Sequence, residues 1–157
     1  MTKPIFYDKE IRPFYWIVIG IPALSAVIWP LQGRWTEGLA PLLFALGFAV
    51  LGPPLSAEVM PDNEYILFKG PIRRSKVSAE SLIRVKVIGA HDYRAHIVLR
   101  NKYGLPIMYR CRKYDNAPVL ATAVLRLIEN APQAKVSTDA LKLLDGVEHA
   151  HSRKSRL

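Results

Sequence analysis

Ten cations carry the most chemistry this chain offers: Lys69, Arg73, Arg74, Lys76, Arg84, Lys86, Arg94, Arg100, Arg110 and Arg112. Ammonium and guanidinium groups bind phosphates, carboxylates and acidic surfaces. Arg84, Lys86, Arg94, Arg100, Arg110 and Arg112 stand at outward positions of alternating segments, so strands pairing in order would collect them on one sheet face. Lys69, Arg73, Arg74 and Lys76 crowd a single turn, KGPIRRSK. Residues 58–157 hold 18 Lys and Arg against 10 Asp and Glu, a net of +8. A solvated face accounts for such charge without any partner. The functional alternative is a contact surface for anionic lipid headgroups or an acidic protein. Nucleic acid fits the charge less well, because no aromatic stacking platform is interleaved with the cations.

Other reactive side chains form no constellation. G-x-G-x-x-G, G-x-x-x-x-G-K-[ST], G-x-S-x-G, H-E-x-x-H and C-x-x-C do not occur. The histidines are His91, His96, His149 and His151. His149 and His151 have the spacing to share a metal but no third ligand near them, and His91-Asp92 reads as turn chemistry. Cys111 lies between Arg110 and Arg112, whose charge would lower a thiol pKa; its place in a strand reads as structural. A single cysteine excludes an internal disulfide and agrees with a reducing compartment. The expectation is a non-enzymatic protein with no catalytic residue, no metal and no cofactor.

The elements that position these groups fall into two unlike parts. Between Pro13 and Ala57 only Arg34 and Glu37 are charged. Pro13–Leu31 and Leu39–Ala57 are uncharged runs of 19 residues each, close to the roughly 20 needed to cross a hydrocarbon core of about 30 Å. Phe14, Tyr15 and Trp16 open the first run, and Trp29 and Trp35 stand near its far end, as in an aromatic belt. The expected arrangement is a transmembrane helical hairpin turning at QGRWTEG, kinked or broken at Pro22 and stopped by Pro53-Pro54. Small residues (Gly20, Ala23, Ser25 and Ala26; Ala45, Gly47 and Gly52) suit close helix contacts. A buried hairpin of a soluble protein, a re-entrant pair and a cleaved leader would use the same residues differently. A leader is disfavoured because the apolar run continues past Ser25-Ala26 and a second run follows. Lys3, Lys9 and Arg12 precede the runs and Lys69, Arg73, Arg74 and Lys76 follow them, against Arg34 alone between. Both termini are therefore expected in the cytoplasm.

From residue 58 the periodicity becomes that of short strands. EVM and EYILFK flank a turn at PDN, as two short strands or one entering a hairpin. Ile72–Ser78 follows. In SLIRVKVIGA, Ile83, Val85 and Val87 are expected inward, with Arg84 and Lys86 outward. RAHIVLR puts Ala95, Ile97 and Leu99 inward. Gly104 suits a positive φ in a hairpin loop before a strand at Leu105–Cys111. A helix capped by Asp115 or Asn116, with Pro118 in its first turn, carries the stripe Leu120, Ala123, Val124, Leu127 and Ile128. STDALKLLDGVEHA forms a short helix only if it docks, and HSRKSRL reads as a disordered basic tail.

Strands meandering into one terminal helix, with EVMPDNEYILFKGPIRRSKVSAESLIRVKV at the start, resemble the bacterial pleckstrin-homology-like domain. The likeness lies in a strand and short turn, a hairpin around Gly70 with basic residues, and then Val77, Ser78, Ile83 and Val85. Members often carry two membrane spans directly before the domain. The resemblance implies a membrane α+β protein of the bacterial inner (cytoplasmic) membrane: a cytoplasmic segment at 1–12, a hairpin at 13–57 (spans 13–31 and 39–57), a small antiparallel β domain with C-terminal helix at 58–131, and a partly disordered extension at 132–157. With spans suited to close helix contacts, the expected role is an interaction module, as an accessory or assembly subunit of a larger membrane complex. The alternative is a module binding anionic lipid through a basic sheet face. The KGPIRR hairpin is similar to the phosphate-binding first hairpin of lipid-binding pleckstrin-homology domains.

Overall fold

Two apolar helices lie near the start of the chain, and each ends where its sequence removes hydrogen-bond donors or admits a turn. The computed structural model describes residues 5–7, 11–60, 64–89 and 95–154. α1 (Ile11–Leu31) has 21 residues and α2 (Trp35–Leu51) has 17. In α1, Pro13–Leu31 is long and apolar enough to cross a membrane. α2 is apolar but shorter, about 25 Å at 1.5 Å per residue. It covers 35–51, not the expected 39–57. Trp35, Thr36 and Glu37 form its first turn. Pro53 and Pro54 cannot donate, and the residue before a proline is pushed out of the helical region. Gly52 accordingly has ψ 164° and ends the helix. Of the kink or break expected at Pro22, the break does not occur: α1 continues through it.

The helices touch along a stripe of small residues on α2: Gly38, Ala45 and Ala49 are buried. A methyl group on Gly38 would lie 3.0 Å from Pro30 Cδ and 3.2 Å from the Ala26 carbonyl oxygen. Gly20 and Gly47 lie outside this contact and face open space, with nothing within 4 Å of a methyl placed there. Most large side chains of the hairpin point outward, among them Trp16, Leu24, Leu43 and Leu51.

A strand unforeseen in the sequence, β1 (Ile5–Tyr7), precedes α1 and pairs antiparallel with β2 (Ser56–Val59), which follows α2; Ile5 stands opposite Glu58 and Tyr7 opposite Ser56. The hairpin thus leaves and re-enters the same sheet. That sheet continues through β3 (Tyr65–Lys69) to β4 (Arg74–Ser78), in the order β1-β2-β3-β4.

A second sheet has the order β7-β6-β5-β8, from β5 (Leu82–Ile88), β6 (His96–Asn101), β7 (Ile107–Tyr109) and β8 (Lys135–Val136). β8 lies parallel to β5, so this sheet is mixed rather than purely antiparallel. β5 departs from simple alternation. Its register shifts between Leu82 and Arg84, as a bulge does. Leu82 therefore turns inward with Val85, and Ile83, expected inward, is 40% exposed.

α3 (Ala117–Glu129) begins at Asn116, whose φ of 52° is left-handed and whose side chain makes no capping bond. Asn116 supplies a backbone conformation that few other residues tolerate, not the expected side-chain cap. α4 (Thr138–Lys154) is longer than expected and includes residues 151–154 of the basic tail. It docks: Ala140, Leu143, Leu144 and Val147 join a core with Ile66, Phe68, Val77, Val85, Ile97, Leu99, Leu120, Val124 and Leu127. Among the described residues the whole is a mixed α+β fold: β1, the two apolar helices, the remaining strands of two four-stranded sheets, and helices packed at the C-terminal end.

Candidate functional site

The outer face of the second sheet gathers cations by strand register. Arg84 of β5 stands directly opposite Arg100 of β6, and Lys86 opposite Val98, which is itself opposite Met108 of β7. Alternate residues share a face, so Arg84, Lys86 and Ile88 look the same way as Arg100, Val98 and Met108. Like charges directly opposite in a sheet are destabilising. Arg84, Lys86 and Arg100 have no salt-bridge partner among the described residues.

These side chains line an open cavity of about 670 Å³. Its other walls are Leu105 and Pro106 of the β6–β7 loop, Arg73 of the β3–β4 turn, and Leu51, the last residue of α2. Gly104, also in the wall, has φ 101°, the left-handed conformation expected for it. Arg73 braces the rim: Nη1 donates to the Pro106 carbonyl at 3.3 Å, and Nη2 donates to the Leu105 carbonyl. Partial burial pulls its pKa below the ordinary arginine value. The site is thus a basic groove with an apolar floor, and no acidic side chain lines it among the described residues. Its location at the exit of α2 depends on the pairing of the sheets and could not be read from spacing.

The other expected cations lie elsewhere. Lys69 Nζ is 2.6 Å from the Glu58 carboxylate, a mostly buried acid on the neighbouring strand β2. Lys76 sits 4.0 Å from the centre of the Tyr65 ring, a cation–π contact. Arg74 is exposed on β4. The KGPIRR hairpin forms, closed by Gly70 N–H to the Arg73 carbonyl at 2.7 Å, but only Arg73 of its cations reaches the groove. Arg110 and Arg112 do not share the basic face: β7 ends at Tyr109 and the chain turns into a short 3-10 helix at Cys111–Lys113. Arg94, His91 and Asp92 lie outside the described residues.

Cys111 is buried beneath this turn, and burial pushes its thiol up to about 12, more than the nearby Arg112 charge lowers it. The expected cation effect is therefore the smaller one. Tyr109 beside it is fully buried, its phenol driven upward mainly by burial. Its ring packs against Phe68 at 5.1 Å and edge-on against Tyr114 at 5.9 Å. All four side chains belong to the core.

No known protein family, curated protein or solved structure matches the chain.

Proposed function

We propose that this chain is a non-enzymatic, membrane-anchored interaction module. In this reading α1 and α2 cross the bacterial inner membrane as a hairpin, and a pleckstrin-homology-like domain sits on the cytoplasmic face. One observation carries it: β1 before the hairpin pairs with β2 after it. A chain that starts and finishes an excursion on one sheet must return to the side it left. The outward apolar side chains of both helices support insertion, since in water they would form an exposed patch far larger than a soluble monomer tolerates. At 17 residues, α2 is at the short limit for a span. The cation excess on both flanks of the hairpin argues for cytoplasmic ends. The open lines at Gly20 and Gly47 suit close approach by helices of another protein, as in an accessory or assembly subunit.

Topology is tested by single-cysteine labelling in intact cells and inverted vesicles. Residues 32–38 should react from the periplasm and position 69 from the cytoplasm; the reverse, or both from one side, overturns the hairpin. Native mass measurement after gentle extraction tests the subunit reading, where co-migration with a larger complex is expected and a lone monomer counts against it. A second reading, binding of anionic lipid at the cytoplasmic face, is favoured by the four cations around the groove at the end of α2.

A further inference from the structure

We infer that the groove formed by Arg73, Arg84, Lys86 and Arg100 binds the phosphate headgroup of an anionic phospholipid of the leaflet that α2 leaves, with the start of an acyl chain on its apolar floor. The inference rests on the membrane-anchored reading of the hairpin.

Position comes first. Leu51, the final residue of α2, is a wall of the groove. If α2 spans, the groove opens at the depth where its last turn meets the headgroups. Charge comes second. Arg84 and Arg100 are cross-strand neighbours with Lys86 on the same face, and among the described groove residues there is no carboxylate to relieve them. A phosphodiester anion would convert that repulsion into charge-assisted hydrogen bonds, with guanidinium forks matched to phosphate oxygens. Shape comes third. The volume of about 670 Å³ falls within the ~300–1,000 Å³ common for small-molecule sites. Leu51, Ile88, Leu105 and Met108 give the groove an apolar side that a free phosphate or a highly charged acidic peptide would not need. Arg73 holds the β6–β7 loop carbonyls, so the rim stands formed before any ligand arrives.

The full chain, extracted in non-ionic detergent, is titrated with dihexanoyl phosphatidylglycerol, dihexanoyl phosphatidylcholine and glycerol phosphate, and bound species are counted by native mass measurement. Phosphatidylglycerol should bind selectively. The double variant Arg84→Gln/Arg100→Gln should weaken it about 25-fold, from about fivefold per cation at an anionic surface. Lys86→Glu, at an exposed strand position, should weaken it at least as much per residue while leaving the melting temperature unchanged. Arg74→Gln/Lys76→Gln removes equal charge away from the groove and should change affinity less than twofold. Equal losses in the two double variants, or no preference over phosphatidylcholine, overturn the site. Glycerol phosphate binding as tightly as the lipid overturns the lipid assignment in favour of a soluble anion. Alkaline carbonate extraction of membranes separates the two readings. Retention of the wild type and the Arg84→Gln/Arg100→Gln variant, with selectivity lost only in the variant, supports both. Retention of the wild type without selectivity overturns the groove alone. Release of the wild type overturns the anchor and this inference with it.

Discussion

Tyr15 and Tyr114, 99 positions apart, donate hydrogen bonds to the carbonyls of consecutive residues: Tyr15 Oη to Pro53 at 2.5 Å and Tyr114 Oη to Pro54 at 2.8 Å. Tyr15 belongs to α1, and Tyr114 lies just before α3 in the β domain. The two prolines are the joint between them. Neither proline has an N–H, so its carbonyl is its sole backbone hydrogen-bonding group, and each is held from a different side. Gly52 allows the approach, since a methyl there would collide with Tyr15 Oη. The joint is a clamped corner rather than a free linker, and the clamp holds the groove at the end of α2.

The clamp makes a prediction. Tyr114→Phe removes a donor from a buried carbonyl and should cost about 1–2 kcal/mol of domain stability, read from urea unfolding in detergent. It should also broaden the distance distribution between spin labels placed at exposed Leu43 on α2 and exposed Lys142 on α4. A distribution as narrow as that of the wild type would mean that packing alone fixes the corner.

The domain core should unfold as one unit that includes α4. Leu127 of α3 and Leu144 of α4 are both buried, at 2% and 0% exposure. Truncation of either to alanine should cost about 2–5 kcal/mol, a large part of the stability of a small domain. If Leu144→Ala costs less than about 0.5 kcal/mol while Leu127→Ala costs the full amount, α4 is an appendage and the core closes without it.

The bulge in β5 separates two neighbouring apolar residues. Val85 is fully buried and Ile83 is 40% exposed. Val85→Ala should destabilise by about 2 kcal/mol, and Ile83→Ala by less than about 1 kcal/mol. Equal costs would mean that β5 pairs without the shift in solution.

That pair also marks the boundary of what the residues disclosed. Alternation identified β5 and β6 and the inward Val85, Ile97 and Leu99, because one buried face imposes a period of two. A bulge changes the phase of that pattern without changing composition, so alternation alone puts Ile83 on the wrong face. β1 and β8, of three and two residues, are too short to carry a period; both exist through pairing with distant partners. α3 was legible because its apolar stripe follows helical spacing. α4 has a thin apolar face and gains its place from docking. For the groove, residue type identified the cations, while register decided which of them meet. Arg84, Lys86 and Arg100 meet on adjacent strands. Arg73 arrives from the β3–β4 turn, and Leu51 from a helix, through contacts that leave no local signal.

Cys111 offers a test of the interior through pH. Its thiol is pushed from 9.0 to about 12 because burial disfavours the thiolate. Below pH 9 both folded and unfolded chains keep this proton, and the group contributes nothing to the pH dependence. Above pH 9 the unfolded chain releases it and the folded chain does not, so the unfolded state gains and stability falls as pH rises toward 12. Between pH 8 and 10 the loss from this one group should be about 1.4 kcal/mol. Tyr109, raised by the same burial, adds its own loss only near and above pH 10. Unfolding free energies of the wild type and Cys111→Ala, measured by urea at pH 8, 9 and 10, should converge by about that amount, even though the variant is less stable at pH 8 for lack of the sulfur's packing. Alkylation of the folded chain at pH 8 should run roughly a thousandfold slower than of the unfolded chain, following the thiolate fraction. Parallel stability curves together with rapid alkylation of the folded chain would show that Cys111 is open to water, and that Tyr109, Cys111 and Tyr114 do not form the closed core at the base of α3.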